Sequence, residues 1–211
     1  MTKVSRRRLM TAAAAFGGSM VIGNRCLWAT ESEARFDFSR SLEGWETATG
    51  KWGIEDVPGA LHGGRALVQR ATNNSFNVIV APGGPYTDVD VSVRFKPISG
   101  SEDASAGIVF RFSEGRYYVI RANALEDNFN LYYYDWGRHQ ITGARVKAPA
   151  LGQWHKLRIT AESDHIKGWL NDQLLIDHHD SRFTSGRVGL WTKADSITAF
   201  DDLVVSPMSG G

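Results

Sequence analysis

Asp88-Val89-Asp90-Val91-Ser92-Val93-Arg94-Phe95 alternates polar and apolar side chains without a break. Successive side chains of an extended chain point to opposite faces, so this run is a strand with one buried face. The same period of two recurs outward in both directions. Ile108, Phe110 and Phe112 alternate with Val109 and Arg111. Tyr118, Ile120 and Ala122 oppose Val119, Arg121 and Asn123, and Phe129, Leu131 and Tyr133 oppose Asn130, Tyr132 and Tyr134. Leu157 with Ile159, Ile166 with Leu170, Val188 with Leu190, and Leu203 with Val205 extend the series. Between the runs lie turn residues: Ser99-Gly100, Ser113-Glu114-Gly115, Trp136-Gly137, Leu151-Gly152 and Ser185-Gly186. Asn171-Asp172 predicts a tight hairpin. No window of about 12 residues after Thr30 carries a helical stripe. Roughly a dozen strands with short connections predict an all-β chain of two packed antiparallel sheets. Their number exceeds an immunoglobulin-like sandwich of ~100 residues and suits a jelly roll.

The first 29 residues read differently. Ser5-Arg6-Arg7-Arg8-Leu9-Met10 has the form of a twin-arginine export motif, followed by a small-residue apolar run from Met10 to Gly23 and Ala29 as a cleavage position. That run is shorter than the ~20 apolar residues of a stable membrane span. The expectation is a removable signal at 1–29, one domain at 30–205, and a frayed tail at 206–211. The product is periplasmic or secreted. Arg25 before Cys26 argues against a lipid anchor there. Removal of 1–29 takes away five basic side chains and the single cysteine, and leaves an excess of four acidic ones. A cysteine-free chain suits an oxidising compartment without disulfides. The whole chain, with 24 Lys and Arg against 23 Asp and Glu, has no basic excess for nucleic acid.

The succession Gly152-Gln153-Trp154-His155-Lys156-Leu157-Arg158-Ile159, Gly168-Trp169-Leu170-Asn171-Asp172 and Gly186-Arg187-Val188-Gly189-Leu190-Trp191, closed by Phe200-Asp201-Asp202-Leu203, resembles concanavalin A-like and laminin G-like jelly rolls. Ala106-Gly107-Ile108-Val109-Phe110-Arg111 with Tyr117-Tyr118, and Trp191-Thr192-Lys193-Ala194-Asp195-Ser196, are similar to the bacterial 3-keto-disaccharide hydrolase domains. The likeness covers about residues 36–205. It implies cleavage of a glycoside already oxidised at C3, whose ketone acidifies the neighbouring C–H. A general base would then take that proton, with His139, His155 and Glu126 as possible bases. Arg111 or Arg121 would hold the developing enolate.

Opposite parity to the core places Arg94, Arg111, Arg121 and Asn123 outward, with Tyr132, Tyr134 and Trp136 outward on their own strand. Side chains two residues apart stand about 6.6 Å from each other on one face. Rings offer apolar surface to sugar C–H groups, and arginine and asparagine hold hydroxyls. Trp191, Lys193 and Asp195 add a strand-end loop, which a salt-bridged turn explains equally well. A carbohydrate is therefore the expected ligand, with the residues just named as its site and the oligomeric state left open.

Asp177-His178-His179-Asp180 is read as a solvated strand end, since neighbouring histidines on a strand face opposite ways. Asp201-Asp202 offers oxygens to a structural calcium, but the other ligands are missing. One of these two carboxylates is expected to point inward, where a hydrogen bond or an arginine satisfies it as well. No metal or other cofactor is assigned. Asp103, Glu126 and Asp127 sit in turn-like segments and read as solvated. The Glu-x-Asp-x-x-Glu strand of a family-16-type glucanase, a Gly-x-Ser-x-Gly elbow and a His-Glu-x-x-His helix are all absent. The sequence leaves three classes open: a glycoside-cleaving enzyme, a non-catalytic carbohydrate-binding module, and a laminin G-like interaction domain.

Overall fold

The structure is a computed structural model and describes residues 32–208. The segment read as a signal, 1–29, lies outside the described residues, as do 209–211 of the tail. Fifteen strands are described: β1 Ala34–Phe36, β2 Glu46–Thr47, β3 Trp52–Asp56, β4 Arg65–Gln69, β5 Phe76–Val80, β6 Val89–Ser99, β7 Ser105–Ser113, β8 Arg116–Asn123, β9 Asn128–Tyr134, β10 Arg138–Arg145, β11 His155–Glu162, β12 His165–Leu170, β13 Gln173–His179, β14 Arg187–Lys193 and β15 Ile197–Pro207. They form two antiparallel sheets and no helix occurs among the described residues. The first sheet runs β13-β12-β11-β6-β15-β4-β3, with β1 paired to β15, and the second runs β10-β9-β8-β7-β14-β5-β2.

The alternation in β6 has the expected consequence. Val89, Val91, Val93 and Phe95 are at most 1% exposed and point into the space between the sheets. Ile108 and Phe110 of β7, Tyr118 and Ile120 of β8, and Phe129 and Leu131 of β9 meet them from the second sheet. Full burial of each such side chain contributes about 1.5–3 kcal/mol. The layers interlock tightly. A β-carbon at Gly168 of β12 would collide with Cδ1 of Ile120, so the glycine is the notch that receives this isoleucine.

The hairpin at Asn171-Asp172 forms as the sequence predicts, with φ of +49° and +64°. Two successive positive φ values define the turn whose twist matches the flanking strands. The last strand departs from the expectation. Ser206 and Pro207 stay in the ladder opposite Asp90 and Val89, so pairing continues beyond Val205.

One irregularity redirects a candidate residue. Arg111 has φ +52°, and the β7–β8 register breaks between Phe110 and Ser113. Such a bulge inserts a residue and resets the alternation. Arg111 therefore does not project outward: it is 1% exposed and donates to the carbonyls of Phe183 at 2.8 Å, Thr87 at 3.1 Å and Ser163 at 2.5 Å. These three carbonyls lie in connections at one end of the sandwich. Arg111 is a tie between layers.

Candidate functional site

The outer face of the second sheet is not bare. Val78 and Val80 of β5, Val109 of β7, Tyr117 and Val119 of β8, Tyr132 of β9 and Trp191 of β14 form a second apolar cluster there. Phe76 stacks on Trp191 with ring centroids 5.5 Å apart, and Tyr134 stacks on Tyr117 at 5.1 Å. Arg138 of β10 lies above both Phe76 and Tyr132, at 5.2 and 4.5 Å. Trp191 is consequently fully covered by its neighbours. It supports the face and does not form its exposed surface.

Beside this cluster the same face turns polar. β8 and β9 pair with Arg121 opposite Asn130, and alternation sets Arg121, Asn123, Asn128, Asn130 and Tyr132 on one side. Arg121 Nη2 donates to Glu126 Oε2 at 2.8 Å and to the Tyr132 hydroxyl at 3.2 Å. Asn130 donates to the same hydroxyl at 2.9 Å, and Asn128 to Glu126 Oε2 at 2.9 Å. Burial alone would push Glu126 up. The hydrogen bonds from Arg121 and Asn128, with the charges of Arg121 and Lys193, outweigh it and hold the carboxyl below its ordinary range. Glu126 Oε1 has no hydrogen bond among the described residues. Neither do Arg121 Nε and Nη1, nor Arg138 Nη1, although all three nitrogens are buried.

A second polar group adjoins the first. Lys193 Nζ lies 3.3 Å from Asp103 Oδ2, and Asn123 Nδ2 donates to Asp103 Oδ1 at 3.2 Å. Asp103 is 1% exposed, contrary to its reading as a solvated turn residue. Asn123 is also buried, its Oδ1 accepting from the backbone N–H of Leu125 at 2.9 Å and Ala104 at 3.3 Å. It therefore braces the turn that carries Glu126.

Asp195 does not pair with Lys193. It accepts from the backbone N–H groups of Ser101, Glu102 and Asp103 at 2.7, 3.0 and 2.9 Å, and from the Ser101 hydroxyl at 2.7 Å. Those bonds, led by the Ser101 hydroxyl, hold its carboxyl far below the usual range. A carboxyl depressed on folding stabilises above its unfolded pKa, and that contribution is lost as pH falls toward the folded value. Urea denaturation should show wild type losing this stabilisation below about pH 4. Asp195→Asn should be less stable by about 1–2 kcal/mol at pH 7 and show a shallower decline in acid. Equal acid slopes in the two proteins would remove Asp195 from this role.

The remaining candidates are scattered. Arg94 faces outward, but on the first sheet, where it donates to Asp201 at 3.1 Å and covers Trp154 at 4.6 Å. Trp136 is 96% exposed with φ +53° at the tip of the β9–β10 hairpin, so it does not continue the Tyr132–Tyr134 row. His139 stacks on Tyr133 at 4.7 Å, and His155 sits on the first sheet against Phe95 at 5.4 Å. Neither joins Arg121. Asp201 is fully buried but points toward Arg94 and the Leu61 N–H, which bonds it at 2.7 Å, and not into the core. Both contacts fall on Oδ2, while the buried Oδ1 has no hydrogen-bond partner among the described residues. Among the described residues, no three His, Cys, Asp or Glu side chains are grouped to hold a metal ion, and no helix is long and apolar enough to cross a membrane.

Asn128, Asn130, Asp103, Arg138, Phe76 and Tyr117 were not among the site residues expected from the sequence. The asparagines share the Tyr132 alternation and were readable from it. Arg138 and Phe76 come from other strands, and only strand order brings Arg138 over Tyr132 and Phe76 against Trp191 and Tyr134.

Two antiparallel sheets in this order, with an aromatic and polar outer face on one of them, define a jelly roll of the kind found in carbohydrate-binding modules and glucanases. The chain belongs to the 3-keto-alpha-glucoside-1,2-lyase-like domain family, whose model matches residues 32–206. Over 159 residues, 72% of its length, it is 27% identical to a levanase of Bacillus subtilis (strain 168), and it spans 21% of that protein. Among solved structures, carbohydrate-binding module CBM66 from Bacillus subtilis has a TM-score of 0.67 at 21% identity, covering 79% of this chain and 97% of that one. A Bacillus licheniformis beta-glucanase has a TM-score of 0.58 at 15% identity, covering 85% of this chain and all of the other. These two structural likenesses show the fold.

Proposed function

We propose that the chain binds a carbohydrate on the outer face of the second sheet, with Arg121, Glu126, Asn130 and Tyr132 holding its hydroxyls. The observation that carries this reading is the buried guanidinium of Arg121, two of whose nitrogens have no partner among the described residues, beside a carboxylate oxygen and a phenol on the same face. Buried donors are normally satisfied, and a sugar hydroxyl both donates and accepts. Binding without cleavage fits the electrostatics: a carboxylate held ionised by arginine and asparagine is a good acceptor but a weak base. The levanase and the carbohydrate-binding module among the similar proteins agree with a glycan ligand. The proposal includes export through the Arg6-Arg7 segment, which would set this face before glycans outside the cytoplasm.

The family match favours a second reading. In a 1,2-elimination, Glu126 Oε1 would take the proton at C2 of a 3-keto-glycoside. The freed electron pair would form the C1–C2 double bond as the C1–O bond breaks, and the leaving oxygen would receive a proton from water or Tyr132.

Calorimetric titration with levan oligosaccharides, gluco-oligosaccharides and 3-keto-trehalose, with product analysis of the last, separates the two. Saturable binding without products, weakened about tenfold in Tyr132→Phe by loss of one hydrogen-bonding hydroxyl, supports the binding reading. Release of free glucose from 3-keto-trehalose, abolished in Glu126→Gln, supports the lyase. Neither binding nor turnover would overturn both.

A further inference from the structure

We propose that a second site, at the end of the sandwich where the β7–β8 hairpin meets the segment 180–186, binds a phosphate- or sulfate-type oxyanion. The pocket there has a volume of about 200 Å³, and its wall carries Arg111, Arg116 and Arg182 with the hydroxyls of Ser113, Thr184 and Ser185. Among the described residues, no carboxylate lines it.

The three guanidinium groups differ in how their charge is answered. Arg182 is held by Asp180 and lies over the Tyr133 ring at 4.6 Å, which fixes its direction. Among the described residues, Arg116 pairs only with Glu114, at 3.5 Å, whose side chain is 84% exposed, and such a surface contact is weak. Arg111 has no ion pair among the described residues. Its Nη atoms donate to carbonyls, and its buried Nε has no partner. Burial lowers its pKa, with Asp88 and Asp164 opposing from beyond hydrogen-bond range. A buried charge without a counter-ion is costly, and a bound anion supplies one.

The groups present also select the shape of the ligand. Planar guanidinium forks match the paired oxygens of phosphate and sulfate, and the hydroxyls add donors for the remaining oxygens. This site is separate from the Arg121 face and does not depend on the carbohydrate reading. The oxyanion has two possible sources, a free inorganic ion or a substituent on a sugar.

The test is a low-salt titration of the full chain with inorganic phosphate, with sulfate, and with glucose 6-phosphate against glucose, followed by calorimetry and amide chemical shifts. The expected result is saturable one-to-one binding of the oxyanions, with shifts centred on Ser113, Thr184 and Ser185. Affinity should weaken about tenfold in Arg116→Ala through loss of one charge-assisted contact, while the half-exposed position leaves Tm unchanged. Glucose 6-phosphate binding more tightly than inorganic phosphate, with glucose silent, supports the site with a sugar substituent as its source. Equal affinities support it with the free ion as the source. Absence of saturation, shifts elsewhere, or wild-type affinity in Arg116→Ala overturns the proposal.

Discussion

An Arg111→Met chain is expected to unfold about 3 kcal/mol more readily than wild type. The arginine donates to three carbonyls from three separate connections, those of Thr87, Ser163 and Phe183. Methionine keeps the length of the stem and removes every donor. A buried carbonyl left without a donor costs about 1–3 kcal/mol. Water reaching the partly open ones relieves some of this, which keeps the total below the sum of three. For a domain of this size the deficit corresponds to a fall in Tm of about 6–12 °C. Arg111→Lys should fall between the two, because an ammonium retains the charge but lacks the fork that spans three acceptors. Thermal melts of the three proteins decide it. A methionine variant as stable as wild type would show that the connections hold one another without this guanidinium.

The second large effect concerns ligand binding. Arg121→Met is expected to weaken glycan binding about a hundredfold, and Glu126→Gln about tenfold. Two buried nitrogens of Arg121 on this side of the sheet have no partner among the described residues, and one hydrogen bond to a charged group contributes about 1.5–3 kcal/mol. Losing roughly 2.7 kcal/mol is a hundredfold. Glu126→Gln preserves the shape and one acceptor, so its effect is smaller. The fold should survive Arg121→Met, since Glu126 keeps Asn128 and Tyr132 keeps Asn130 as partners, and Glu126→Gln, since Arg121 keeps the Tyr132 hydroxyl. Calorimetry with whichever oligosaccharide binds wild type provides the measurement. Undiminished affinity in Arg121→Met would move the binding site away from this face.

The sequence was legible where a residue's environment follows from its immediate neighbours. β6, β8 and β9 alternate strictly, so their inner and outer sets, including Arg121, Asn123 and Tyr132, could be read from period alone. Arg111 was misplaced because one left-handed residue resets the parity after it, and nothing in Phe110-Arg111-Phe112 announces a bulge. Arg94 does face outward, but strand order puts β6 in the other sheet. Order within a sheet depends on pairings between distant segments that no local window contains. Trp191, expected beside a strand-end loop, lies on the outer face and is nevertheless buried, because Phe76, 115 residues earlier, stacks on it. Asp103 looks like a turn residue, and its burial comes from Lys193 and Asn123 closing over it. Positions set by the local backbone were within reach, and positions set by what lies across or above were not.

The pairing of β1 with β15 sets Ala34 beside Val205, in the layer that faces away from Arg121. Entry and exit of the described chain are therefore neighbours on the rear of the molecule. Joining them with a few residues and opening the chain at the exposed Asn171-Asp172 turn should give a circular permutant with its front surface undisturbed. For the same reason, the domain can be spliced into a larger polypeptide or tethered to a solid support through either end without masking that front.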